Sequence, residues 1–144
     1  MAYTTINKSS DFFNTNLYTG NSTATSHAVG FQPDFTWLKV RNASGANYLF
    51  DSVRLSTNYI QSNSNAVQGT DAQTLKSFDA NGYTVGTSNS VNTNGEKMVA
   101  WNWKAGTAVS GNTSGSGTAK TYTGSVNTTS GFSIIKYTGN GTNG

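Results

Sequence analysis

The feature that most limits the fold of this chain is the spacing of its apolar residues, which come in short runs with a period of two. In the run 97–104, Val99, Trp101 and Trp103 occupy every second position. Since successive side chains of a β-strand point to opposite faces, this spacing predicts a strand with one strongly apolar face. The run 35–41 alternates in the same way and carries apolar residues on both faces, which predicts a central strand.

Turn-forming residues separate these runs. Gly, Asn, Asp and Ser lie between them, and Asn81-Gly82 between Phe78 and Tyr83 is a typical hairpin turn. Many short strands joined by such turns predict an all-β fold, an antiparallel β-sandwich of the jelly-roll type. Residues 71–76 are the one segment where a single helical turn is an alternative. The nine predicted strands are 12–19, 35–41, 47–53, 57–62, 75–78, 83–86, 97–104, 120–126 and 132–138.

Large apolar side chains on these strands form the predicted core, where burial of each contributes about 1.5–3 kcal/mol. A charged pair, Asp51 and Arg54, borders the apolar run that begins at Leu49. We predict that the two side chains form a partly buried ion pair that fixes the end of this strand. The predicted core residues are Phe35, Trp37, Leu38, Phe50, Val99, Trp101 and Trp103.

The chain repeats one of its own motifs near its C-terminus. Residues 13–23 and 132–142 align at a constant offset of 119, with six identities in eleven positions, four of them consecutive. We interpret 132–142 as the opening of a second copy of the unit that begins near Phe13. The identical residues include Tyr18, Gly20 and Asn21, which correspond to Tyr137, Gly139 and Asn140.

The repeat and the composition together suggest a domain organisation. The segment 107–119 is rich in Gly, Ser and Thr, which predicts a flexible linker. We expect a sandwich domain over 1–106 that includes an N-terminal arm, 1–11. The remaining residues, 120–144, then form the start of a second repeat unit or a strand-exchange segment.

Small polar residues dominate the composition, and this argues against catalysis and metal binding. The 22 Thr, 18 Ser, 18 Asn and 16 Gly make up 74 of 144 residues, while charged residues are only 10%. Without Cys there is no thiolate metal site, and His27 is the only histidine. The six Asp and Glu residues show no spacing that singles out a catalytic pair. We predict no catalytic, cofactor-binding or metal-binding residues and no enzymatic activity.

The charge pattern and the N-terminus limit the partners. The net charge of +3 is spread along the chain without a basic run, whereas nucleic-acid binding requires several cations on one face. Residues 1–8 lack the apolar core of a signal peptide, and every apolar run is far shorter than the ~20 residues that cross a membrane. We expect no nucleic-acid partner, no membrane insertion and synthesis in the cytoplasm.

Seven sequence blocks follow one another in a recognisable order: MAYTTI at 1–6, LYTGN at 17–21, GFQPDFTWLKVRN at 30–42, LFDSVR at 49–54, LKSFDANGYTVG at 75–86, VAWNWKAG at 99–106 and GFSIIKYTGNG at 131–141. Together they resemble an uncharacterised domain family in virion proteins of tailed phages, especially marine and cyanobacterial ones. Its members are labelled tail-fibre-like or structural proteins and carry tandem concanavalin-like units. The chain departs from them in two ways: Leu55 stands where we expect a glycine, and the sequence stops within the second unit.

The resemblance implies a structural or adhesive role in the virion and supplies no active residues. We expect a tail fibre or another appendage that binds copies of itself and other virion proteins, with a host-surface glycan as a further candidate partner. A capsid decoration or head-fibre protein is one alternative. A glycan-binding receptor module that stacks sugars on Trp and Tyr rings is another. A polysaccharide-degrading enzyme would require a carboxylate pair.

Overall fold

β-strands are the main regular secondary structure of the chain. The computed structural model describes residues 6–115, 117–139 and 141, and within them all nine predicted strands are present, with ends shifted by at most two residues. An all-β fold is therefore confirmed. The elements are β1 (Phe13–Thr19), β2 (Thr25–Ala28), β3 (Phe35–Val40), β4 (Tyr48–Asp51), β5 (Asn58–Gln61), β6 (Gly69–Thr70), β7 (Leu75–Asp79), β8 (Gly82–Val85), α1 (Asn89–Asn92), β9 (Lys97–Trp103), β10 (Thr107–Asn112), β11 (Thr121–Asn127) and β12 (Phe132–Tyr137).

The described strands form three antiparallel sheets. A large sheet has the order β1-β9-β3-β4-β5-β6, a small sheet the order β2-β8-β7, and a C-terminal sheet the order β10-β11-β12. β9 pairs with β1 on one side and with β3 on the other, so that Trp101 lies opposite both Thr15 and Trp37. The run 35–41, predicted to be a central strand, is β3 and lies between β9 and β4.

The core lies between the small sheet and one face of the large sheet, which we call its inner face. Leu38 and Phe50 of the large sheet pack with Leu75 and Tyr83 of the small sheet, and all four are fully buried. Two packed antiparallel sheets are the β-sandwich that the sequence predicts. The rest of this cluster consists of Val29, Phe31, Val85, Val91 and Ala100.

Four of the seven predicted core residues lie on the opposite face of the large sheet, its outer face. Phe35, Trp37, Trp101 and Trp103 are only partly buried. Strand alternation turns them away from the side on which Leu38 packs against the small sheet. The prediction that these rings close the sandwich is therefore corrected. The tryptophan face of β9 points away from the small sheet.

The other three predicted core residues are buried. Leu38 and Phe50 are inaccessible to solvent on the inner face, and Val99 is 5% exposed. Val99 lies on the outer face, between Leu17 of β1 and Lys39 of β3. The outer face therefore has its own buried point in the middle of the sheet.

The inner face of β9 contains a buried polar residue, which explains why the hydrophobic pattern favoured the wrong face. Asn102 is fully buried, and its side-chain oxygen accepts a hydrogen bond of 2.9 Å from the hydroxyl of Thr36. Its amide donates to the backbone oxygen of Ala100. Buried polar groups are stable when their hydrogen bonds are satisfied, as they are here.

The first half of the predicted linker is a strand. Thr107–Asn112 form β10, which pairs with β11 along its whole length. The prediction of a flexible linker is wrong for this part, because backbone pairing holds the segment without large side chains. The division of the chain into domains stays a prediction.

A buried carboxylate attaches the C-terminal sheet to the large sheet. Asp34 accepts hydrogen bonds from the hydroxyl of Ser52 at 2.8 Å and from the backbone N–H of Ala105 at 2.9 Å. The hydroxyl of Ser125 in β11 donates to the same carboxylate at 3.3 Å. Hydrogen bonds to a carboxylate are among the stronger ones in proteins, so Asp34 stabilises the junction between the sheets.

The predicted ion pair closes the turn after β4. The Nε of Arg54 lies 2.5 Å from the Oδ2 of Asp51, and the two side chains are 13% and 5% exposed. The backbone N–H of Arg54 donates to Oδ1 of the same carboxylate at 2.8 Å. The next residue, Leu55, has a φ of +80°, a conformation that glycine adopts without strain. This is the position where the resemblance leads us to expect a glycine.

One further segment differs from the sequence prediction. Residues 71–74 form a turn that leads into β7, and the helical turns lie at Ser9–Asp11 and at α1, where Ser88 caps the N-terminus. At the predicted hairpin, Gly82 is required by a close approach: a Cβ there would lie 1.9 Å from the backbone oxygen of His27. The hairpin itself is confirmed, as β7 and β8 pair across Ala80 and Asn81.

Candidate interaction surface

Residues 13–23, the first motif, form β1 and the turn after it. Tyr18 points inward, and its hydroxyl donates a hydrogen bond of 2.6 Å to the backbone oxygen of Val91 in α1. Asn16 points the same way and donates to the hydroxyl of Tyr83 in the small sheet at 3.4 Å. The inward residues of β1 are therefore held by the layer that covers the large sheet.

The pocket that receives Tyr18 is electrically neutral. The ring centroid of His27 lies 4.1 Å from that of Tyr18 and 5.3 Å from that of Tyr83. Burial lowers the pKa of His27, and its Nε2 has no hydrogen-bond partner among the described residues. Burial raises the pKa of both Tyr18 and Tyr83 far above the ordinary value for tyrosine. All three side chains are uncharged at neutral pH.

Gly20 and Asn21, which the repeat shares with Tyr18, also have specific contacts. The backbone N–H of Gly20 donates to the oxygen of Glu96 at 2.8 Å. A Cβ at Gly20 would lie 2.1 Å from the backbone oxygen of Thr93, so no larger residue fits. The backbone N–H of Asn21 donates to the side-chain oxygen of Asn92 at 3.0 Å.

The described counterparts in the second motif (132–142), Tyr137 and Gly139, lack such contacts. The side chain of Tyr137 is 66% exposed. A Cβ placed at Gly139 would meet no heavy atom within 4 Å. Asn140 lies outside the described residues. Tyr18 and Gly20 are thus packed in the first motif, whereas Tyr137 and Gly139 are open to solvent.

Tyr137 belongs to an apolar surface on the C-terminal sheet, which we call the open face. Strand register places Tyr122 opposite Tyr137 and gives Ile135 the same orientation as Tyr137. Ile135 is 47% exposed. Val126 and Val109 continue the surface across β11 and β10. Contiguous exposed apolar surfaces of this kind are typical of interaction sites.

The other face of the C-terminal sheet packs on the large sheet. The ring of Phe132 lies 6.1 Å from those of Trp103 and Phe35, between ring centroids. An open cleft of about 350 Å³ lies beside this contact and is lined by Ile60 and Arg54 among others. Among the described positions that are identical in the two motifs, Phe132 is therefore the one in the second motif that packs against the large sheet.

The rest of the outer face of the large sheet is aromatic and partly exposed. Trp37 and Trp101 meet edge to face with their centroids 5.4 Å apart. Leu17 is 60% exposed and Ile60 41% exposed on the same face. This surface combines flat rings with polar Thr15, which lies beside Trp101 on the edge strand β1, as sites for sugars or for other proteins do.

Five of the six acidic side chains have polar partners in the structure: Asp11, Asp34, Asp51, Asp71 and Asp79. Both carboxylate oxygens of Asp79 accept hydrogen bonds of 2.6 Å, from the hydroxyls of Ser77 and Thr84. Within residues 6–115, 117–139 and 141, no three His, Asp or Glu side chains form a group that could bind a metal ion. Across the same residues, the helical segments are too short and too polar to span a bilayer.

The repeat was visible in the sequence, but its two environments were not. The structure places Tyr18, Gly20 and Asn21 against α1 and the turn after it. Among the described residues, no corresponding helix or turn covers Tyr137 and Gly139. The open face was not predicted. Its signal was the alternation of Tyr122 and Val126 along β11, which indicates a strand but not the absence of a covering layer.

These features describe a β-sandwich module with an apolar sheet face and a free strand edge at its surface. The chain belongs to the family described as a domain of unknown function, DUF7483, whose model matches residues 8–144. No curated protein and no solved structure matches the chain.

Proposed function

We propose that the chain is a structural component of a phage virion, a tail fibre or another tail appendage, with no catalytic activity of its own. It assembles through contacts with copies of itself and with other virion proteins. The resemblance of its seven sequence blocks to virion proteins supports this setting. Repeated surfaces in symmetric assemblies are how such proteins work.

The observation that carries the assembly role is the open face. Ile135 and Tyr137 are largely exposed, and they lie on β12, which has no partner on its second edge in the described sheet. Free edges and apolar faces favour association, and monomeric proteins generally cover or charge them. Here both features occur on one strand.

The setting is tested on particles of a phage that encodes the chain. We expect mass spectrometry to find the chain in gradient-purified particles and, after separation, in the tail fraction. Recovery in heads alone would support the alternative of a capsid decoration or head-fibre protein. Recovery only in the unassembled fraction of the lysate would contradict a virion role.

A second candidate function is binding of a host-surface glycan by the outer face. Trp37 and Trp101 favour it, since aromatic rings stack on the apolar faces of sugars. A glycan array is the test, with Trp101→Ala as the variant. Tyr137→Ala serves as control because Tyr137 lies on a different sheet. No bound glycan, or equal binding by both variants, would exclude this function.

A further inference from the structure

We infer that β12 is built to take the place of β1 beside β9 of a second copy of the chain. The inference deepens the proposed assembly role and names its partner and its contact. The second motif reproduces Tyr18 and Gly20 of the first, and the only described receptor for those residues is the edge formed by β9 and α1. Every copy of the chain has this receptor.

The first motif shows which backbone groups the receptor binds. The N–H of Gly20 donates to the oxygen of Glu96, and the N–H of Lys104 donates to the oxygen of Phe12, both at 2.8 Å. Backbone groups of successive residues point to opposite edges of a strand. The even-numbered residues of β1 therefore point their N–H and C=O groups at β9.

The backbone groups of β12 that point to its free edge follow from the same reasoning. The oxygen of Lys120 accepts a hydrogen bond of 2.9 Å from Thr113, so even-numbered residues of β11 point at β10 and odd-numbered ones at β12. Ser125 of β11 lies opposite Ile134. In an antiparallel pair, two directly opposed residues either both point their N–H and C=O groups at each other or both point them away. Even-numbered residues of β12 thus face β11, and residues 133, 135 and 137 face the free edge.

The direction of the backbone groups and the direction of the side chain are therefore related in the same way at Tyr18 and at Tyr137. The offset of 119 turns even positions of β1 into odd positions of β12. Tyr18 has an inward side chain and a backbone that faces β9. Tyr137 has a side chain on the open face and a backbone that faces the free edge. Placed in the position of β1, β12 would put Tyr137 into the pocket of Tyr18 and keep β11 on its other side.

The side chains are compatible with this exchange. Thr19 of β1 accepts a hydrogen bond of 2.9 Å from the Nζ of Lys97, and Thr138 supplies the same hydroxyl. Ile134 takes the place of Thr15 opposite Trp101 and adds apolar contact there. Exchange keeps the backbone pairing with β9 and the contacts of the tyrosine, threonine and glycine. Ser133 and Ile135 take the inward places of Asn14 and Asn16, which donate hydrogen bonds to Val29 and Tyr83. Exchange of an equivalent element between copies is a low-cost route to oligomers. Linked from copy to copy in one direction, it produces a fibre.

The test uses the absence of cysteine from the chain. Two full-length variants are mixed under oxidising conditions, Thr138→Cys as strand donor and Lys97→Cys as acceptor. Thr19 and Lys97 form a non-hydrogen-bonded pair, whose Cα separation of about 4.5 Å lies within the range that a disulfide spans. We expect a disulfide-linked dimer, identified by mass spectrometry of the joined peptides.

Four further variants make the result specific. Adding Tyr137→Ala to the donor is expected to lower the dimer yield about tenfold, because the exchanged strand loses its main inward side chain. Adding Tyr18→Ala to the acceptor is expected to raise the yield, since its own β1 then competes less well. Thr128→Cys, in the exposed turn after β11, is the control donor. Thr19→Cys with Lys97→Cys in one chain shows that the site can form the bond.

Each outcome decides the inference. A dimer that depends on Tyr137 supports strand exchange between copies. A yield no higher than that of the Thr128→Cys donor, or one that Tyr137→Ala leaves unchanged, overturns it. The result does not depend on where the chain occurs in a virion, so it can fail while the proposed function stands.

Discussion

The two copies of the motif differ in their surroundings far more than in their sequence. In the first, the tyrosine hydroxyl reaches the backbone of Val91, and Gly20 lies too close to Thr93 for any side chain. In the second, Tyr137 is 66% exposed, and a Cβ at Gly139 would meet no heavy atom within 4 Å. The comparison shows that the tyrosine and the glycine of the motif fit the edge formed by β9 and α1. Among the described residues, those of the first copy contact this edge and those of the second do not.

The largest difference between the copies is expected at the tyrosines. Tyr18→Ala should lower the free energy of unfolding by about 3 kcal/mol, since it removes a packed ring and a buried hydrogen bond. Tyr137→Ala should change it by less than about 0.5 kcal/mol, as substitutions at exposed sites do. Urea unfolding of dilute protein measures both. Equal losses of free energy in the two variants would contradict the difference in packing between Tyr18 and Tyr137.

The glycines are expected to differ next. Gly20→Ala should cost about 2 kcal/mol, because the new Cβ must push back the backbone of α1 and the turn after it. Gly139→Ala meets open space and should be close to neutral. The same urea experiment applies. A neutral Gly20→Ala would show that the turn after β1 is looser than described.

The pH dependence of stability is a further difference between the two motifs, because His27 lies beside Tyr18 and not beside Tyr137. Burial lowers the pKa of His27 in the folded state. Its contribution is therefore fully present above the unfolded value of about 6.5 and is lost as the pH falls through the lower folded value. We expect the stability of the wild type to fall between pH 7 and pH 5.

His27→Gln is the matched variant for this titration. It should show a shallower fall in melting temperature over the same pH range, so that the difference from the wild type narrows in acid. Tyr137→Ala should keep the slope of the wild type. A slope in His27→Gln as steep as that of the wild type would assign the titration to another group.

The smallest effects are expected at Leu17 and at its counterpart Lys136, because neither side chain is buried. Leu17 is 60% exposed, and its counterpart Lys136 is exposed as well. Leu17→Ala and Lys136→Ala should each change the free energy of unfolding by less than about 0.5 kcal/mol. A clear loss for Leu17→Ala alone would mean that the outer face of β1 is covered in solution.

Much of the fold could be predicted because strands and turns are encoded locally. The alternation along β9 and the Asn-Gly turn before Tyr83 placed two elements with ends correct to within two residues. The side of the large sheet that forms the core could not be predicted in the same way. Trp101 and Trp103 outweigh Ala100 in any hydrophobic pattern, but the small sheet covers the face with Ala100 and the buried Asn102.

The predicted ion pair and the repeat motif differ in the same way, since one depends on local sequence and the other on long-range packing. The ion pair of Asp51 and Arg54 is confirmed because three residues across a turn bring the side chains together. The exposure of Tyr137 depends on which strands cover the C-terminal sheet. That is a long-range property, so a local motif indicates the strand and leaves its surroundings open. Hydrogen bonds such as that from Ser125 to Asp34, 91 residues apart, are equally invisible in the sequence.

The central claim, that the free edge of β12 binds a second copy, is tested most directly by amide hydrogen exchange at two protein concentrations. The N–H groups of Ser133, Ile135 and Tyr137 point to the free edge, and those of Ile134 and Lys136 point to β11. We predict that the first three exchange rapidly in dilute protein and become protected as the concentration rises, while the other two are protected throughout. Rapid exchange of the first three at every concentration would contradict the account.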